Sequence, residues 1–230
     1  MLRFMFGEQE RRDDRAFRQV MELIHRYRNA LLHKNGPGSE RRLRLSMWLS
    51  SIAGTLDELE ESVYCSERFA ALIAQPFVSQ MTPEETLDYR RHLYFFENGC
   101  VRVFSVLDKL GSFLNELYEL RTEEIKSRFS YFTVIRRMRE RGVHAELQRE
   151  LHKIKDKYKH PMSDLRLIRN HEIHGMNAEL LDENGRIRRF AGEKHERIED
   201  LAENNRKLRE GYAMVCESLQ QVFRFGSRAI

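Results

Sequence analysis

Residues 82–117 read TPEETLDYRRHLYFFENGCVRVFSVLDKLGSFLNEL, and they describe one long buried helix. Thr82-Pro83-Glu84-Glu85 is its start. Thr82 can cap the first turn. Pro83 suits the first helical position, where a missing N–H costs nothing, and Glu85 can reach back to close a capping box. Leu93, Phe96, Cys100, Val103, Phe104, Leu107, Leu110, Leu114 and Leu117 then recur at near-heptad spacing. Such a seam spans about 42 Å at 1.5 Å per residue. Phe95, Phe113 and Tyr118 widen the stripe, so the helix should be buried on more than one side. The pattern is that of core packing rather than of a cofactor box.

The flanking segments read as further helices. Phe17, Val20 or Met21, Ile24, Tyr27 or Arg28, and Leu31 share one face of a helix over 8–33. Asn35-Gly36-Pro37-Gly38-Ser39 breaks it, and Ser39 can cap a second helix through Leu43, Trp48, Ile52, Leu56 and Leu59. Residues 64–80 are less regular. Ser66 is placed to start a short helix through Ile73, and Pro76 to stop it. Downstream, the pattern predicts helices over 129–141 and 143–159, split at Gly142, with Pro161 ending the second. Ser163 and Asp164 can cap another through His174, closed by Gly175. The turn Asn184-Gly185, between Leu180-Leu181 and Ile187, predicts one small β-hairpin near 180–190. A last helix over 198–225 carries Leu201, Leu208, Tyr212, Val215, Leu219 and Val222 or Phe223 as its seam. The expected fold is all-α, a multi-helix bundle around a long central helix. It forms one domain over 1–230, with a core at about 85–226 and N-terminal helices (8–75) packed on it.

Composition agrees. Across 230 residues, 41% are hydrophobic and 33% charged, and 12 Gly with 4 Pro are too few for an all-β chain that must turn constantly. No apolar run approaches the roughly 18 residues of a membrane span. The opening Met1-Leu2-Arg3-Phe4-Met5-Phe6-Gly7 is too short for a secretory leader. Cys65, Cys100 and Cys216 are far apart, without a CxxC, and read as buried thiols in a reducing compartment. A cytoplasmic protein is expected, with no membrane partner. The net charge of +4 is unevenly spread: residues 121–160 carry 12 Lys and Arg against 6 Asp and Glu, and 46–120 carry 5 against 12. A basic block of this kind can attract polyphosphate; equally, it can complement the acidic block within the fold or across a dimer.

Glycine-rich phosphate cradles and the GxSxG elbow are missing from the sequence. His171-Glu172-Ile173-His174 falls short of HExxH because Gly175 stands where the second His would. The pair His171 and His174 has no Cys or acidic partner at metal-site spacing, so neither a metal nor another cofactor is expected. What remains is Arg169-Asn170-His171-Glu172-Ile173-His174-Gly175. Asn170 and His174, four apart, share a helix face. Arg can hold a phosphate bidentately, His titrates near neutrality, and Asn can orient either. Cleaving RNA through its own 2′-hydroxyl needs that chemistry: a group that moves protons and a cation for the charge that builds on phosphorus. The competing reading is a surface Arg and a helix-end His favoured by the dipole. Arg28-Asn29-Ala30-Leu31-Leu32-His33 repeats the pattern at the end of the first helix.

Arg169-Asn170-x-x-x-His174-Gly175 resembles the Rx4-6H motif of the HEPN superfamily, in the form with Asn after Arg. Phe96-Glu97, Ser105-Val106-Leu107-Asp108-Lys109-Leu110-Gly111 and Phe113-Leu114-Asn115 resemble the long helix that precedes this motif in a group of uncharacterised bacterial HEPN proteins. Phe129-Ser130-Tyr131-Phe132 suits the intervening segment. The likeness covers about 85–178, and more loosely the final helix, and places the motif at Arg169 and His174 rather than at Arg28 and His33. It implies a helical bundle that dimerises, with two Arg/His motifs meeting in one metal-independent endoribonuclease site for single-stranded RNA. Active members serve as toxins, in phage defence or in RNA processing, so an antitoxin or other protein partner is among the expectations. On this likeness Arg169 would hold the scissile phosphate, His174 would move a proton, Asn170 would orient them, and Asp108 and Lys109 could support the site. Other members are inactive modules that bind a nucleotide or a protein, and that alternative stays open.

Overall fold

The computed structural model describes residues 15–33, 38–179 and 197–226, with 171–179 described through their backbone. Seven α-helices are present among the described residues: α1 Arg15–His33, α2 Ser39–Ala70, α3 Pro83–Leu117, α4 Tyr131–Glu140, α5 Ala145–Lys157, α6 Lys159–Glu179 and α7 Leu201–Gly226. No strand occurs among these residues. Phe77 and Arg197 form an isolated antiparallel bridge, beside which the Ile198 N–H donates to the Pro76 carbonyl at 2.9 Å. The hairpin expected near 180–190, like the first turns of the helix expected from residue 8, lies outside the described residues. The chain divides into two compact units, 1–58 with 103–158 and 213–230, and 59–102 with 159–212.

In the first unit, α1 buries Phe17, Val20, Ile24, Tyr27 and Leu31, the expected face. Leu49, Ile52 and Leu56 of α2, Leu107, Leu110, Phe113 and Leu114 of α3, and Leu219 and Phe223 of α7 are fully enclosed. Each such side chain contributes about 1.5–3 kcal/mol relative to exposure. The rings of Tyr27, Phe113 and Phe223 meet pairwise at 5.5–6.1 Å. Helix ends are finished by groups distant in sequence. Arg41 Nη2 donates to the Glu116 and Leu117 carbonyls at 2.9 and 3.0 Å, closing the C-terminus of α3. Asp108 Oδ1 accepts the Tyr131 N–H at 3.1 Å at the start of α4, where Ser130 makes no side-chain cap. Gly142 (φ +64°) and His144 (φ +47°) shape the turn from α4 to α5.

In the second unit, α3 begins as the capping chemistry dictates. The Glu85 N–H donates to Thr82 Oγ1 at 3.1 Å and the Thr82 N–H to Glu85 Oε2 at 3.0 Å. The Glu85 carboxylate also accepts the Ala74 N–H, and these backbone donors hold its pKa below the usual carboxylate range.

The structure corrects four expectations. First, α2 does not break at 64–66 but runs on to Ala70. Ser66 is no cap: it is buried within the helix, and its hydroxyl donates to Asn205 Oδ1 at 2.6 Å. Second, Leu43 is 58% exposed, because Leu45 and Leu49 hold the inner row of α2. Third, Pro161 does not end a helix. The break falls at Tyr158, and Pro161 is the third residue of α6, in a first turn that requires no N–H from it. Ser163, Asp164 and Gly175 lie inside α6 rather than at its ends. Fourth, His92 rather than Leu93 occupies the fully buried position of α3.

His92 Nδ1 donates to the Ser66 carbonyl at 2.9 Å, with Ser66 Oγ 3.3 Å away, and its ring stacks on Phe96. Nε2 is enclosed without a hydrogen-bond partner in the described residues. Burial pushes the His92 pKa below its ordinary value. The neutral ring is therefore the folded form, while the unfolded chain takes up a proton first as pH falls. Stability contributed by neutral His92 is fully present above about pH 6.5 and is lost as pH drops towards the depressed folded pKa. Melting temperature is expected to fall between pH 7.5 and 5, and His92→Gln to flatten that part of the profile. An unchanged profile in the variant would show that other groups control it.

Candidate functional site

Arg169 and Asn170 lie half-buried in α6. Arg169 Nε and Nη2 donate to Asn170 Oδ1 at 3.2 and 2.8 Å. Neighbours in a helix point about 100° apart. The Arg stem therefore folds across the helix surface to bring its guanidinium to the amide, and two donors on one oxygen fix the plane of the group. The helix continues through His174, so the His174 backbone stands one turn beyond Asn170 in the same row. The His174 side chain lies outside the described residues, as does that of His171. Asp164, five residues before Arg169, pairs with Lys207 at 3.1 Å, an ordinary surface bridge.

The second copy of the pattern is built differently. Arg28 Nε donates to Ser46 Oγ at 3.0 Å on α2. His33 is the last residue of α1, and its Nδ1 lies 2.7 Å from the Asn29 carbonyl. The Asn29 side chain makes no hydrogen bond among the described residues, so here Asn does not hold Arg. Arg fastening two helices and an exposed His folded back on the helix end are sufficient structural roles for this copy.

Asp108 and Lys109 belong to the first unit, whereas Arg169 and Asn170 belong to the second. Asp108 caps α4 as described. Lys109 Nζ bonds Thr55 Oγ1 and approaches the Ser51 carbonyl at 3.5 Å, tying α3 to α2. What the sequence did not reveal is the Arg169–Asn170 bond, because helical geometry alone sends adjacent side chains apart.

An all-helical chain with an Arg-Asn-x-x-x-His helix after a long core helix is thus the class at hand. The family model described as HEPN_Cthe2314-like HEPN matches residues 48–227, and the chain belongs to that family. The matched segment contains Arg169, Asn170 and His174, and Arg28 to His33 lie upstream of it. No curated protein and no solved structure matches the chain. No described helix is long and apolar enough to cross a membrane.

Proposed function

We propose that this protein is a metal-independent endoribonuclease acting on single-stranded RNA in the cytoplasm, through a composite Arg169/His174 site at a homodimer interface. The observation that supports this reading best is the Arg169–Asn170 bond within the family-matched segment. It presets a guanidinium on a helix that carries a histidine one turn further on. In the reaction, His174 takes the proton of the 2′-hydroxyl, and the 2′-oxygen bonds to the neighbouring phosphorus. The bond to the 5′-oxygen then breaks, and that oxygen leaves with a proton given by the histidine of the second motif. Arg169 holds the phosphate while negative charge builds on it, and Asn170 keeps the fork in place. A two-fold dimer brings a second motif to the same phosphate.

The test is cleavage of a labelled single-stranded RNA in excess EDTA by wild type and by His174→Ala, both confirmed to be folded and equal in oligomeric state. Wild type should cut, and the variant should lose about a hundred- to ten-thousandfold in rate, the range for a positioned proton-transfer group. Equal cutting by both would move the activity elsewhere, with Arg28 and His33 next in line. If neither cuts any of several RNAs, the inactive binding module takes over.

A further inference from the structure

The first unit carries a second feature, which the Arg169 site does not use. Helices α4 and α5 face each other across a cavity of about 270 Å³. Phe132, Arg136 and Arg139 line it from α4, and Gln148, His152 and Lys155 from α5. Both sets fall at i, i+4 and i+7, so each is a single helix row turned towards the other. None of the lining residues is acidic.

The lining of this groove is cationic. Several cations on other surfaces meet carboxylates: Lys157 meets Glu217 at 2.6 Å, Arg41 meets Glu119 at 2.7 Å, and Arg206 meets Glu203 at 2.7 Å. Arg139 and Lys155 make no ion pair among the described residues. Arg136 reaches Glu140 at 3.7 Å, and His152 meets Asp156 at 3.5 Å, but both acids lie outside the lining. Three like charges thus converge on one small space, and an anion there relieves their repulsion. Gln148 is buried, and its side-chain amide has no hydrogen-bond partner in the described residues, so it too is available to a ligand. Ile135, also buried, supplies an apolar wall, and the Phe132 ring is braced edge-on by Tyr131 at 5.4 Å.

We propose that the α4–α5 groove binds a terminal phosphate monoester carrying one ring, that is, a single nucleotide unit held through its phosphate. The charge argues for a monoester, which bears about −1.5 to −2 near neutrality, over the single charge of an internal diester. The volume argues for one unit, since it falls just under the roughly 300 Å³ at which sites for larger ligands begin. The ring of the ligand stacks on Phe132, a contact that tolerates any base. Two sources offer this chemistry, a free mononucleotide and the 5′-phosphorylated end of a strand. The proposal does not rest on the cleavage reading.

The experiment uses the full chain and two 3′-fluorescein hexauridylates, fully 2′-O-methylated so that neither can be cut, one with a 5′-phosphate and one with a 5′-hydroxyl. AMP and adenosine are the competitors. The 5′-phosphate should tighten binding about tenfold or more, the worth of hydrogen bonds to a charged group. AMP should displace the probe where adenosine does not. Arg139→Gln/Lys155→Gln should remove the advantage, and Arg139→Lys/Lys155→Arg should retain it, which separates lost charge from lost folding. If AMP binds directly, is lost in the Gln pair, and the oligomer gains nothing from its phosphate, the source is the free nucleotide. If AMP does not bind and both oligomers bind alike, or if the Gln pair changes nothing, the proposal is overturned.

Discussion

Arg169→Lys is expected to reduce RNA cleavage nearly as far as Arg169→Ala, by about a hundred- to a thousandfold in kcat, the usual cost of removing one preorganised donor to a developing oxyanion. The reason is shape rather than charge. Arg169 reaches Asn170 Oδ1 with Nε and Nη2 together, which sets the plane of a rigid fork. A lysine ammonium offers a point charge on a flexible stem and cannot reproduce two parallel bonds to phosphate oxygens. Asn170→Ala leaves the fork but removes its anchor, so its loss should be smaller, about tenfold, because some conformers still present the guanidinium correctly. Single-turnover kinetics with saturating RNA measures all three. A lysine variant that cuts at the wild-type rate would reduce Arg169 to general electrostatic attraction and remove the phosphate-holding role.

A site composite in the proposed way has a further expected result. On that reading Arg169→Ala and His174→Ala protomers, each expected to be inactive when paired with itself, leave one Arg and one His when paired with each other. Mixing them under conditions of subunit exchange should recover part of the activity. Recovery at a level no higher than either variant alone would argue for a site complete within one chain.

How far the sequence carried depended on whether the deciding chemistry was local. Thr82 and Glu85 are three residues apart, and their reciprocal bonds are the ones their spacing implies. The seam of α3 from Phe96 to Leu114 and the inner face of α1 were equally legible, since one residue row settles each, whereas at the seam's start His92 replaced Leu93. Ser66 was misread because a serine in a helical pattern resembles a cap, and its actual partner, Asn205, lies 139 residues away. Pro161 was read as a stop when it occupies the first turn of α6. A proline is compatible with both, and the helix break at Tyr158, upstream of Pro161, separates them. For the candidate site, Arg169, Asn170 and His174 stood out by spacing, but so did Arg28, Asn29 and His33. Contacts made by Arg28 and His33, and the boundary of the family match, distinguish the copies. The α4–α5 groove was visible merely as a basic run, since its two rows acquire meaning once they face each other.

Gly111→Ala should destabilise the protein by about 2 kcal/mol, against the intrinsic preference of helices for alanine. In an open helix interior that change gains about 0.8–1 kcal/mol. Gly54 in α2 is such a position, exposed and with nothing within 4 Å of an added Cβ, and Gly54→Ala should stabilise by up to that amount. At Gly111 an added Cβ would lie 2.9 Å from Tyr131 Cα and 3.2 Å from Tyr131 N. These are backbone atoms, so no rotamer change relieves the clash, and α4 must move. Overpacking of this kind costs about 1–3 kcal/mol. The displacement also strikes the Asp108 bond to the Tyr131 N–H, one turn earlier on α3, and exposes the first turn of α4 to the loss of its cap. Gly99 offers a softer comparison, because its Cβ would meet the side chain of Leu208, which can turn away. Thermal melts of the three alanine variants should therefore rank Gly54→Ala highest and Gly111→Ala lowest. At about 2–4 °C per kcal/mol for a chain of this length, Gly111→Ala should melt several degrees below wild type. A Gly111→Ala protein as stable as wild type would mean that α3 and α4 are not held at this separation and that the Asp108 cap is dispensable.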